Sequence, residues 1–164
     1  MNDPIENRQN ALVEFFQATF GHEDLLFQID LFPLPIELFA PDGTSLYINR
    51  AFWECFNIPN SSQIVGHLNL LQDAVLNDEM GLSEYLRWIF EGETLSVSDI
   101  KVPFDEMVLR YDVKKTGFDI DAMYQDITSF PIWDQRKKIA YIVTYLLPRE
   151  CIWRGRTSQE HEST

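Results

Sequence analysis

Cysteine is scarce in this chain: two among 164 residues, Cys55 and Cys151. No C-x-x-C pair or Cys/His cluster at zinc spacing occurs, so no metal ligand is expected. Two cysteines cannot build a disulfide framework, and a reducing compartment, the cytoplasm, is the expectation. Basic residues are also few, 13 Lys and Arg against 26 Asp and Glu, a net charge of −13. Such a surface repels phosphate backbones and anionic lipid, which argues against nucleic acid or membrane binding through this chain. No apolar run reaches the roughly 18 residues of a membrane span. The start, MNDPIENRQN, is polar and acidic, unlike a signal peptide. No G-x-S-x-G, P-loop or G-x-G-x-x-G occurs, and no catalytic residue is expected.

What is present is a ring-rich globular composition: 45% hydrophobic, with 12 Phe, 6 Tyr and 4 Trp. Asp3 caps a helix that begins with Pro4 and carries Ile5, Leu12, Phe15, Phe16 and Phe20 at near-helical spacing. Gly21 ends it. Leu34 to Ala40 and Leu46 to Ile48 flank Pro41-Asp42-Gly43, a hairpin signal. Asn49 is a cap for a short helix, Arg50 to Phe56. Short helical pieces fill residues 60–80, and Leu82 to Glu91 is a clear helix stopped by Gly92. A strand, Leu95 to Val102, then a helical turn over residues 104–112, precede two long strands, Ala122 to Trp133 and Lys138 to Leu147. Asp134 to Lys137 makes the turn between them.

The last strand is apolar on both faces: Ile139, Tyr141, Val143, Tyr145 and Leu147 on one, Ala140, Ile142 and Leu146 on the other. An antiparallel sheet with one wet face would not show this. One face must meet the short helices, and the N-terminal helix is the candidate cover for the other. Its stripe either packs within the chain alone or also builds a homodimer. The dimer reading uses Leu12, Phe15, Phe16, Phe20, Tyr141 and Val143.

The order of elements resembles a PAS domain. PIELFAPDGTSLYINRAFWECF is similar to the family's opening hairpin and first helix, IVGHLNLL to its Ile-x-Gly…Leu connection, and FPIWDQRKKIAYIVTYL to its closing hairpin. The resemblance covers residues 25–148. It implies an α+β fold: a five-stranded antiparallel sheet with short helices on one face, preceded by the amphipathic helix. The domains are then 1–21, a capping and dimerisation helix; 22–148, the sensor; and 149–164, a linker or tail. It also implies a ligand-sensing, dimerising module of a signal-transduction or transcription-regulator protein, with an unknown small-molecule ligand. The ending YLLPRECIWRGR resembles the sensor exit of an AraC-type regulator, whose DNA binding would belong to an output domain outside this chain.

The PAS resemblance places a pocket between sheet and helices, with Phe52, Phe56, Tyr85, Ile89, Tyr124 and Phe130 as walls and Asn49, Gln125 and Thr128 as polar contacts. Photochemical flavin binding in that family needs a cysteine after Gly66, where GHLNLLQDAVLND has none. Haem binding needs a histidine on the longer helix, and Leu82 to Glu91 has none, so no cofactor is expected. The competing reading is an enzyme or small-molecule binding protein of the cone-shaped ketosteroid-isomerase-like fold. Its catalysis would need a buried pair such as Asp126 with Tyr124 or Tyr145.

Overall fold

The D-G turn and its flanking apolar runs form a tight hairpin. In the computed structural model, which describes residues 4–20, 25–56, 58, 60–73, 78, 81–102, 104–111 and 124–149, strand β1 (Ile36–Phe39) pairs antiparallel with β2 (Ser45–Ile48). Gly43 has φ +87°, and a Cβ there would lie 2.8 Å from Asn69 Oδ1. Glycine meets both the left-handed backbone and the close approach. The helix α1 (Pro4–Phe20) precedes this hairpin, and a short helix α2 (Leu25–Asp30) lies between them. After the hairpin come α3 (Arg50–Cys55), a 3₁₀ turn at Ser61–Gln63, and α4 (Ser83–Phe90). Then follow β3 (Leu95–Lys101), α5 (Phe104–Tyr111), β4 (Tyr124–Trp133) and β5 (Ile139–Pro148).

The strands form one antiparallel sheet in the order β2-β1-β5-β4-β3. The expected five-stranded fold is therefore present. The closing turn also forms as read: Asp134 Oδ1 accepts the amides of Arg136 and Lys138 at 2.8 and 2.9 Å.

Two apolar clusters lie on opposite faces of the sheet. The larger joins Phe39, Ile127, Ile142 and Leu146 to Phe52, Phe56, Leu82, Leu86 and Ile89 of the short helices. The smaller joins Ile36, Leu38 and Leu46 to Leu12, with Phe15, Leu26, Ile29, Tyr141 and Val143 packed against it. The two-faced final strand is thus explained within one chain. Leu12 is fully buried there, and the Phe15 ring meets Tyr141 edge-on, centroids 5.1 Å apart. Arg8 Nη2 donates to both Asp42 carboxylate oxygens at 3.0 and 2.9 Å, and Gln9 donates to the Leu46 carbonyl at 3.1 Å. These contacts fasten α1 to the first hairpin.

Two sequence expectations change. Leu12 cannot serve as a dimer contact, because its surface is already used against β1 and β2. Cys55 is disulfide-bonded, so the inference of a reducing compartment from the small number of cysteines does not stand. The side chains of Phe16 and Phe20, the start of the strand read at Ala122, and residues 150–164 lie outside the described residues. No described helix is long and apolar enough to cross a membrane.

Candidate functional site

The inner face of the sheet and the helices over it line a cavity of about 100 Å³ that is partly open to solvent. Its walls follow from side-chain periodicity. On α3, Phe52 and Phe56 are four residues apart and share a face, rings 4.8 Å apart. On α4, Tyr85, Leu86 and Ile89 point inward, while Trp88 stays exposed. Leu95 and Val97 of β3 and Met107 and Tyr111 of α5 close the remaining side.

The floor is the sheet, and here strand alternation decides membership. On β4, Gln125, Ile127 and Ser129 face the cavity, and Thr144 and Leu146 do so on β5. On β1 the inward residues are Glu37 and Phe39. Glu37 sits opposite Thr144, and Thr144 opposite Ser129, so three polar side chains form one row across three strands. The Ser129 and Thr144 hydroxyls are 2.8 Å apart and hydrogen-bonded. Ser45 Oγ donates to Glu37 Oε1 at 2.6 Å.

Glu37 is only 5% exposed. Burial pushes its carboxyl up to about 8, against the opposing pull of the Ser45 hydrogen bond. At neutral pH the group is mostly protonated. Gln125, 4% exposed, has an Oε1 without a hydrogen-bond partner. A buried amide oxygen without a donor is uncommon, and here it belongs to a cavity-lining side chain.

Helix α5 is held over the cavity by a buried carboxylate. Asp73 accepts Arg110 Nη1 at 2.9 Å and the Tyr111 hydroxyl at 2.5 Å. Burial, then the Asp73 bond, raises the Tyr111 phenol, which stays neutral at ordinary pH. Helix α5 (Phe104–Tyr111) is therefore a wall of the site.

Of the expected pocket residues, Phe52, Phe56, Tyr85, Ile89 and Gln125 line the cavity. Tyr124, Thr128 and Phe130 do not. They alternate with Gln125, Ile127 and Ser129 and so occupy the other face of β4; Tyr124 is 39% exposed, and Thr128 hydrogen-bonds Ser96. Tyr124, Gln125, Thr128 and Phe130 could not share one face of a regular strand. Asn49 is a structural residue. Its Oδ1 accepts the amides of Ile36 and Phe52 at 2.8 and 3.1 Å, and its Nδ2 donates to the carbonyls of Ile29, Phe32 and Leu34.

Sequence reasoning missed Glu37, Ser129, Thr144, Met107 and Tyr111. For Glu37 a signal existed: one acid inside the apolar run PIELFA. It reads as the wet side of a strand unless both faces are known to be covered. Among the described residues no group of three or more His, Cys, Asp or Glu is placed to hold a metal. The acid–base pair of the cone-fold reading does not form. Asp126 is half-exposed, accepts the Asp99 amide at 2.9 Å, and faces Arg149 at 3.9 Å.

The sheet order and covering helices are those of PAS domains. No protein-family model matches the chain, and no curated protein matches it. Solved structures do. An RNA-binding light-oxygen-voltage receptor aligns at 16% identity over 75% of this chain and 31% of its own, TM-score 0.53. The VqmA–ligand–DNA complex from Vibrio cholera aligns at 13% identity over 77% of this chain and 51% of its own, TM-score 0.51. The PAS domain of BvgS from Bordetella pertussis aligns at 17% identity over 77% of this chain and 86% of its own, TM-score 0.49.

Proposed function

We propose that this chain is a sensor domain that takes a small molecule into the cavity between the sheet and helices α3, α4 and α5. The observation that carries this reading is a void that is apolar except for a polar row at its floor and an unpartnered Gln125 oxygen. Ligand pockets have this character: apolar walls and a few polar groups that fix orientation. The sensor is residues 22–148, with residues 1–21 as its capping helix and 149–164 as a linker or tail. Its context is a signal-transduction or transcription-regulating protein, of AraC type on the strand-exit sequence YLLPRECIWRGR. VqmA, a protein of the same fold, is solved with ligand and DNA. In this chain the acidic charge points to an output unit, rather than the sensor, for any contact with nucleic acid.

A metabolite library screened by thermal shift tests the reading. A ligand at a hundredfold excess over its dissociation constant adds about 2.7 kcal/mol to stability. At least one compound is expected to raise the melting temperature, and Ser129→Leu, which fills the floor, to abolish that rise. A library without a hit, or a rise untouched by the filling variant, would leave the domain as an interaction module.

We also propose a homodimer. Phe15, Tyr141 and Val143 remain half-buried at the rim of α1 on the outer sheet face, and a second copy would complete their burial. Sedimentation across a concentration range should show the dimer, and a monomer throughout would exclude it.

A further inference from the structure

We propose that the cavity selects a small amine, a mostly apolar molecule with one ammonium group, and that Glu37 is its counter-ion. The proposal deepens the sensor reading and rests on it. Size sets the first limit. At about 100 Å³ the cavity is smaller than the engineered 150 Å³ void that admits benzene in another protein. The ligand should therefore have no more than about six heavy atoms, the number in benzene.

The chemistry of the wall sets the second limit. Among the described lining residues there is no Lys, Arg or His. A buried anionic ligand would find no basic side chain among these residues to balance its charge. With Glu37 ionised, the side-chain oxygens at the floor can all accept hydrogen bonds: Glu37, Ser129, Thr144 and Gln125. Ser45 engages only Oε1 of Glu37, and Gln125 Oε1 has no donor. An ammonium group brings three donors and no acceptor. Seated on the row, it can reach Glu37 Oε2 and the Thr144 hydroxyl, since neighbouring strands lie about 4.8 Å apart. Its apolar part then faces Ile89 and Val97. The net charge of −13 also raises the concentration of small cations near the surface.

Proton balance is part of the proposal. The free site holds Glu37 as the neutral acid, with a value near 8. An alkylamine is protonated in water at pH 7. Pairing keeps the proton on nitrogen and releases the Glu37 proton to solvent, so close to one proton leaves per amine bound. The other ionisable groups among the described lining residues are Tyr85 and Tyr111. Tyr111 is tied to Asp73, which Arg110 also holds, so the released proton is assigned to Glu37.

The test is calorimetric titration of the full chain at pH 7 with cyclopentylamine, cyclopentanol and butanoate, each of six heavy atoms. The amine is expected to bind at least tenfold more tightly than the alcohol, and the carboxylate not to bind. Heats in phosphate and Tris should differ by the ionisation heat of nearly one proton. Glu37→Gln should erase the preference for amine over alcohol. If that variant does not fold, the proton count on the unaltered chain decides. An alcohol that binds as tightly as the amine, an amine that releases no proton, or an amine unaffected by Glu37→Gln overturns the proposal. Alcohol binding without amine binding would remove the ligand class and leave the sensor cavity. Silence from all three probes would remove both.

Discussion

Asn49→Ala is expected to lower stability by about 3–5 kcal/mol, read from the urea midpoint of unfolding. The side chain is fully buried and holds three segments together. Without it the Ile36 amide loses the Oδ1 that it donates to at 2.8 Å, and the Leu34 carbonyl loses a donor at 2.9 Å. The carbonyls of Ile29 and Phe32 lose a donor as well. Each buried group left unpaired costs about 1–3 kcal/mol. Total domain stability is only about 5–15 kcal/mol, so the variant should be close to unfolding at room temperature. Asn60→Ala is the control. Asn60 is an exposed cap, with Oδ1 accepting the Ser62 amide at 3.0 Å, and its loss should cost about 1 kcal/mol. Equal costs for the two would show that Asn49 acts as a simple helix cap.

Glu37→Gln should stabilise the domain above neutral pH. The Glu37 value rises from 4.5 to about 8 on folding because burial penalises the charged form. Between those values the folded state binds more protons than the unfolded state, so stability falls as pH rises. The slope from this one group is about 1.4 kcal/mol per pH unit. From below pH 4.5 to above pH 8 the unaltered chain loses on the order of 5 kcal/mol through Glu37. Glutamine does not titrate and can keep the hydrogen bond from Ser45. The difference between the two urea-derived stability curves should open across that window and level off above pH 8. Parallel curves would mean that Glu37 is solvated.

Most of the fold was legible because turn chemistry and strand alternation agreed. Asp42-Gly43 and the alternation around it marked the first hairpin. The double-faced apolar pattern from Ile139 to Leu147 required a cover on both sides, and α1 supplies one of them. Less was legible where a side chain's role depends on what covers it. The Asn49 cap was read, but its hold on Ile29, Phe32 and Leu34 depends on how the chain returns after α2. Tyr124, Thr128 and Phe130 were grouped with Gln125 by residue type, whereas pleating puts them on the opposite face. Glu37 was hidden by the same kind of argument. An acid in a strand is expected to face water, and only the packing of both faces shows that it faces a cavity. Asp73 joins α5 across long sequence separations, which no local pattern encodes.

The central claim is that the inner face of the sheet lines a ligand-sized cavity open to small apolar molecules. Methyl-labelled protein under xenon pressure tests it most directly, because xenon enters apolar voids without needing any particular hydrogen bond. The methyl signals of Ile89, Val97, Ile127 and Leu146, which line the cavity, should shift with pressure and saturate. Those of Leu12, Leu38 and Val143 on the other face of the sheet should stay in place. Inner-face methyls that do not move, or equal shifts on both faces, would contradict the account.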